Sequence, residues 1–286
     1  MSLSIFTSAS SMASTNALNK SNNLLSTAME RLGTGKRINS AADDAAGLQI
    51  ATRLQGQTNG MTVAQRNISD ATAMLQTAEG AFDEVSNIMY RMKDLATQAA
   101  NDTNGTQDRD AISAEMSELN SELNNIMSNT KYAGENLFTT GTASGATAAK
   151  FTASMSFQIG ASTDEKLTIN VATDLATIKS DLATLSGGTV DSFDNAQDMI
   201  SSLETAIGNV GTLRSSLGAN INRLGHTAAN LANMKDNTDL ALSNIQDADY
   251  ATEASTMTRN QLLAQTSMSM LKTSNSMSSM VMNLLG

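Results

Sequence analysis

Ile68-Ser69-Asp70-Ala71-Thr72-Ala73-Met74-Leu75-Gln76-Thr77-Ala78-Glu79-Gly80-Ala81-Phe82-Asp83-Glu84-Val85-Ser86-Asn87-Ile88-Met89 repeats itself every seven residues. Ile68, Leu75, Phe82 and Met89 form one row, and Ala71, Ala78, Val85, Met92 and Ala99 form a second row three positions on. Apolar residues alternating at three and four make the narrow seam of a coiled coil. The spacing predicts a helix over 58–100, ended by the polar run Asn101-Asp102-Thr103-Asn104-Gly105-Thr106 through turn chemistry. A second helix is expected over about 107–130, where Ile112, Met116, Leu119, Leu123 and Ile126 keep the same spacing. A third is expected over 193–237: Leu203, Val210, Leu217, Leu224 and Leu231 are seven apart. Ala206, Leu213 and Met234 fall on its companion row, with polar breaks at Asn220 and Thr227. Three long helices of one character imply an antiparallel bundle.

Between the second and third helices the period falls to two. Phe151 to Ile159 alternates, Gly160 to Asp164 is turn-like, and Leu167 to Val171 alternates again, which reads as a β-hairpin. Residues 139–149 are almost all Thr, Gly, Ala and Ser, and read as a surface loop. Gly187-Gly188 marks another break. The two ends are helical in pattern too. Leu18, Leu25 and Leu32 are one heptad apart, and Leu263, Met270, Met277 and Leu284 hold the same spacing. Gly33-Thr34-Gly35 closes the first of these helices, because Gly accepts the left-handed conformation of a helix stop. Ser40 and Asp43 read as a capping box opening a short helix. Each terminal stripe is too narrow to fold alone, so the two are expected to pair with each other.

Composition narrows the function. Aromatics are 3% of the 286 residues, with no Trp, Pro or Cys, so the interior must be filled by Ala, Leu, Ile and Met, which suits closely spaced helices. Without Cys there is no disulfide, thiolate metal site or cysteine nucleophile. The net charge is −10, and it is unevenly placed. Residues 1–42 carry Lys20, Arg31, Lys36 and Arg37 against Glu30; residues 251–286 carry Arg259 and Lys272 against Glu253. The acidic middle makes nucleic acid an unsuitable partner. No run of 18 apolar residues could span a membrane, and residues 1–16 lack the basic and continuous apolar regions of a secretory signal.

Candidate chemical motifs fail on spacing. Gly33-Thr34-Gly35-Lys36-Arg37 lacks the earlier Gly and the hydroxyl residue of a phosphate loop, having Glu30 and Arg37 there. Asp102 to Thr106 has its Gly too early for a calcium loop, and Ser113 stands where the closing carboxylate belongs. Asp43-Asp44 point about 100° apart on a helix, and suit a helix N-terminus better than acid–base work; Asp247 and Asp249 read likewise. The single His226 has no partner of recognisable spacing and reads as a partly exposed helix residue. No catalytic site, metal or cofactor is expected.

The run Arg31-Leu32-Gly33-Thr34-Gly35-Lys36-Arg37-Ile38-Asn39-Ser40-Ala41-Ala42-Asp43-Asp44-Ala45-Ala46-Gly47-Leu48 resembles bacterial flagellin. So do Gln76 to Ala81, Asp94 to Asn101, Leu213 to Ala219, Ile245 to Glu253 and the closing Leu284-Leu285. The resemblance covers roughly 1–138 and 193–286. It implies a mainly α protein, a long antiparallel helical rod or coiled coil with a small β-hairpin, built as discontinuous domains. Residues 1–42 with 244–286 would form the inner coiled-coil domain D0, 43–57 a spoke, 58–138 with 190–243 the domain D1, and 139–189 a short variable segment carrying the hairpin. The chain resembles a short flagellin without outer domains. It departs from the pattern at Ser278, near a place where Pro is frequent, and in a Ser-rich beginning.

The resemblance implies a structural subunit that polymerises into the extracellular filament of a motile bacterium, not an enzyme. The residues expected to pack the filament core are Leu18, Leu25, Leu32, Leu263, Met270, Met277 and Leu284. Ends that order on assembly couple folding to binding. Further implied partners are an export chaperone at the C-terminal segment, hook-associated and cap proteins, and the host toll-like receptor for flagellin; neither nucleic acid nor membrane is among them. Export through the flagellar type III channel fits a chain with no disulfide to lock it. Arg91 and Leu95, four apart on one helix face, match the centre of the receptor-binding motif, and Glu115 matches its acidic neighbour; Tyr90 departs from the Gln common there. The alternatives are a hook–filament junction protein, disfavoured by the lack of a sizeable middle insertion, and a secreted coiled-coil effector, disfavoured by the lack of an uninterrupted apolar segment.

Overall fold

The computed structural model describes residues 9–139 and 149–285, and side chains at the C-terminal end as far as residue 276. Six α-helices and two small hairpins follow one another: α1 (Ala9–Thr34), α2 (Ala45–Ala99), α3 (Thr106–Asn129), β1 (Lys131–Tyr132), β2 (Glu135–Asn136), β3 (Met155–Gln158), β4 (Lys166–Ile169), α4 (Ala172–Gly187), α5 (Phe193–Gln246) and α6 (Tyr250–Leu285). The fold is mainly α with long helices, as the seven-residue rows require. It divides into two units: Met1–Thr58 with Asp236–Gly286, and Asn59–Lys235.

In the second unit both rows of the opening stretch are interior. Ile68, Leu75, Phe82, Met89, Ala71, Ala78, Val85, Met92 and Ala99 are all buried, as are Leu203, Val210, Leu217, Leu224 and Leu231 of α5. Met234 instead lies exposed. Ion pairs fix the direction of packing. Arg214 of α5 reaches Glu79 at 2.7 Å and Asp83 at 2.9 Å on α2, while Lys93 further along α2 reaches Glu204, earlier on α5, at 2.9 Å. The two helices therefore run antiparallel. Three of the six Phe residues meet at one point of this core: Phe82 and Phe138 have ring centres 4.7 Å apart, and Phe138 and Phe151 6.0 Å.

The turn at 101–106 forms as the sequence suggests. Thr103 N–H donates to Asn101 Oδ1 at 3.1 Å, and Gly105 N–H to Asp108 Oδ2 at 3.0 Å. Arg109 Nε then donates to the orphan carbonyl of Ala99 at 3.0 Å, closing α2. The expected hairpin is β3–β4, paired antiparallel with Phe157 opposite Leu167. A second, two-residue-loop hairpin, β1–β2, turns through Ala133 (φ 52°) and Gly134 (φ 85°). Both central residues at positive φ match the twist of a tight hairpin.

Two expectations need correction. Ser40 and Asp43 do not open a short helix. Asp43 Oδ2 instead accepts from Asn39 N–H (3.1 Å), Ser40 N–H (2.8 Å) and Ser40 Oγ (3.1 Å), closing a turn. The cap is Asp44, whose Oδ1 takes the Gly47 N–H at 2.9 Å; a Cβ at Gly47 would meet Asp44 and Ile38 side-chain atoms. What starts there is α2 itself, so 45–57, read as a spoke, is helical. The segment 139–189 also holds more than a hairpin. Leu175, Ile178, Leu182 and Leu185 are buried on one face of α4, at the same alternation of three and four. Most of the loop expected at 139–149 lies outside the described residues.

Candidate assembly surfaces

In the first unit α1 and α6 pair, with the expected Leu row of α1 beside the seam but not the row expected on α6. The seam is Ser21 and Ala28 on α1 against Asn260, Ala264, Ser267 and Ser274 on α6, all buried. Ser10 and Ser274 hydroxyls lie 2.9 Å apart, and Ser11 Oγ donates to Asn275 Oδ1 at 3.2 Å. Arg31 approaches Glu253 at 3.8 Å, so the pair is antiparallel. The backbones of α1 and α6 approach each other closely along their length. The cause is the size of the side chains between them: Ser and Ala allow axes nearer than Leu or Phe would.

The two predicted rows differ in exposure. Leu18, Leu25 and Leu32 are half-buried. Leu263 is 47% and Met270 59% exposed. The expectation that Leu263 and Met270 face α1 within one chain is thus corrected, because the close Ser/Ala seam turns them outward. The side chains of Met277 and Leu284 lie outside the described residues. The asymmetry extends to the whole unit. Fourteen large apolar side chains are exposed among the described residues, and all but Val63, Tyr90, Phe193 and Met234 belong to this unit. Its described interior holds Ile38 as the single large apolar residue. Such a helix pair has small and polar residues at its fully buried positions, half-buried Leu18, Leu25, Leu32 and Leu271 beside them, and further large apolar residues outside.

A latch joins the connectors at the helix ends of the same unit. Gly35, at φ 72°, ends α1. Arg37 N–H then donates to Gln246 O at 2.7 Å, its guanidinium donates to Ile245 O at 2.7 Å, and Ala248 N–H donates to Gly35 O at 3.0 Å. Arg37 thereby supplies a cation to the last carbonyls of α5, where the helix dipole favours it. Asp249 caps α6, accepting from Thr252 Oγ1 at 2.6 Å and Ala251 N–H at 3.0 Å. These bonds, the Thr252 hydroxyl first, hold its carboxyl below the usual carboxylate range.

The residues matched to the receptor motif separate into two sets. Arg91 and Glu115 meet across α2 and α3: Nε and Nη2 donate to Glu115 Oε1 at 3.0 and 2.6 Å, on the surface beside exposed Tyr90. Leu95 is 2% exposed and belongs to the core cluster. Its assignment as a contact residue is corrected: four positions from Arg91 it turns beneath the surface, and its side chain cannot reach a partner while the core is intact. His226 is an exposed helix residue.

Sequence reasoning missed the α6 side of the seam because it sought large apolar rows. The signal was present, since Asn260, Ser267 and Ser274 are themselves spaced by seven, as are Ser21 and Ala28.

Long antiparallel helices with a seven-residue core, and a terminal pair that is apolar on its outside, define a fibrous structural subunit. Comparison with known proteins gives the family. The bacterial flagellin N-terminal helical region matches residues 5–143, and the C-terminal helical region matches 200–285. The chain is 37% identical over 259 residues to a flagellin of Halalkalibacterium halodurans, covering 90% of each. It is 32% identical to polar flagellin F of Vibrio parahaemolyticus over the whole of both chains. That alignment runs to 377 positions against 286 residues here, so the relative carries residues without a counterpart. A Vibrio parahaemolyticus structure described as a flagellar hook-associated protein shares the fold, with TM-score 0.57 at 16% identity, over 72% of this chain and 100% of its own. The chain belongs to the bacterial flagellin family, in a short form, and is a structural subunit of the flagellar filament.

Proposed function

We propose that this subunit acts outside the cell, in the filament of a motile bacterium, and that it assembles by burying the outward apolar residues of α1 and α6 against other copies of itself. The observation that carries this is the inverted terminal pair. A helix pair whose fully buried positions are Ser, Ala and Asn covers its Leu residues only by half, while Leu263 and Met270 stay wet. Each large apolar side chain moved out of water stabilises the assembly by about 1.5–3 kcal/mol when fully buried. The terminal pair is then the inner domain D0, and the unit Asn59–Lys235 corresponds to D1. The role is structural rather than enzymatic.

The remaining partners follow from family membership. A chaperone shields the apolar C-terminal segment before export, and hook-associated and cap proteins bound the filament. The exposed Arg91–Glu115 pair beside Tyr90 is the face offered to the host toll-like receptor, without Leu95. Arg is enriched among the side chains that anchor protein interfaces.

Deletion of residues 263–286 tests the assembly reading. The truncated chain should stay in the supernatant after salt-induced polymerisation and sedimentation, with the circular dichroism of α2, α3 and α5 kept. Stable filaments from the truncated chain would refute it.

A further inference from the structure

The chain has 18 methionines, and among the described residues they range from buried to largely exposed, with Met155 and Met257 half-buried and Met234 39% exposed. Met12, Met29, Met268 and Met270, all on α1 and α6, are between 48% and 60% exposed. Seven methionines of the second unit, Met61, Met89 and Met92 among them, are at most 6% exposed. The chain also has no Cys and no Trp, so no thiol competes for an oxidant. Thioethers take up oxygen according to their access to it, and the product is polar.

We infer that Met12, Met29, Met268 and Met270 form an oxygen-accepting modification site for peroxides, and that its oxidation stops the chain from assembling without unfolding it. The sulfur lone pair forms an S–O bond to one peroxide oxygen as the O–O bond breaks. Sulfur loses two electrons and becomes a sulfoxide; the other oxygen leaves as hydroxide, takes the transferred hydroxyl proton and becomes water. The intrachain seam of Ser21, Ala28, Asn260, Ala264, Ser267 and Ser274 contains none of the four sulfurs, so the helix pair survives. The surface that would be buried between copies does not, because a sulfoxide must either keep its water or find a donor. Burial in the filament shields the same sulfurs, so a chain is vulnerable before assembly and protected after it. This consequence rests on the assembly reading above.

The test treats full-length monomer with hydrogen peroxide and maps the added oxygen by peptide mass spectrometry. The four exposed methionines should oxidise at least about tenfold faster than Met61, Met89 and Met92, and should be spared in preformed filaments. Oxidised monomer should keep its helical circular dichroism, yet its critical concentration for salt-induced polymerisation should rise by about tenfold or more. Reduction of the sulfoxides by methionine sulfoxide reductases should restore assembly. The variant with all four changed to Leu should polymerise equally before and after peroxide. Uniform oxidation of core and terminal methionines, unchanged assembly of the oxidised chain, or a Leu variant still blocked by peroxide would each overturn the inference. Untreated wild type that never polymerises would sink the assembly reading instead, and the oxygen map would still decide whether the site exists.

Discussion

Replacing Leu263 and Met270 together by Ala separates folding from assembly. The two side chains are 47% and 59% exposed, so roughly half of each remains to be covered by a neighbouring copy. Full burial of a large apolar side chain is worth about 1.5–3 kcal/mol, so the uncovered half is worth about 1 kcal/mol each. The double substitution should therefore cost polymerisation about 2 kcal/mol per subunit. That corresponds to a critical concentration raised about 30-fold, at 1.4 kcal/mol per factor of ten. Neither side chain lies in the α1–α6 seam, and Ala raises helix propensity slightly, so the monomer should melt as wild type does. Sedimentation across a concentration series gives the first quantity, and circular dichroism of monomer the second. A critical concentration within twofold of wild type would refute the burial of this row. A lowered monomer melting temperature would show that the row supports the chain itself.

Further expectations concern the rest of the molecule. Phe82→Ala opens the contact of Phe82, Phe138 and Phe151 and should cost about 3–5 kcal/mol, read by urea denaturation of the monomer. Arg91→Ala removes an exposed ion pair, which should change stability by less than about 1 kcal/mol. It should weaken activation of the toll-like receptor more than about tenfold, with intact filament inactive; equal signalling by variant and wild type would defeat that assignment. Asp43 and Asp249 are held below the ordinary carboxylate range by their hydrogen bonds, for Asp43 the Ser40 N–H first and for Asp249 the Thr252 hydroxyl first. Their folded values lie below the unfolded ones, so their stabilisation is present above about pH 4 and is lost as pH falls through the folded values. Terminal helicity should fall on acidification, and less steeply in the double variant Asp43→Asn, Asp249→Asn.

What the sequence made legible was whatever repeats. The rows through Ile68 and Leu203 are core because a helix that buries a large side chain every seven residues has one face to hide, and burial is uniform along it. The start of α2 was less legible. Asp43 and Asp44 are both able to cap, and only the folded turn assigns the first to Ser40 and the second to Gly47. Helix α4 was hidden by its neighbourhood, since its four buried residues follow two strands and a Ser/Thr-rich loop and were absorbed into a variable segment. Leu95 shows the limit of spacing arguments. Four positions place it near Arg91 on a helix, but the angle between them is enough to put one side chain in water and the other in the core. The terminal pair was read in its partnership and in its face on α1 but not in its contact row on α6, because heptad reasoning ranks Leu above Ser. Close packing of two helices can choose the small residues and leave the large ones for another molecule.

In the proposed assembly the outward side chains of α1 and α6 are covered only between copies. Electron cryomicroscopy of purified chain after salt-induced polymerisation tests it most directly. Long uniform helical filaments are expected, in which α1 and α6 lie innermost and Leu263 and Met270 are buried against neighbouring subunits. Filaments with those two side chains still facing solvent, or a chain that remains monomeric in every polymerising condition, would contradict it.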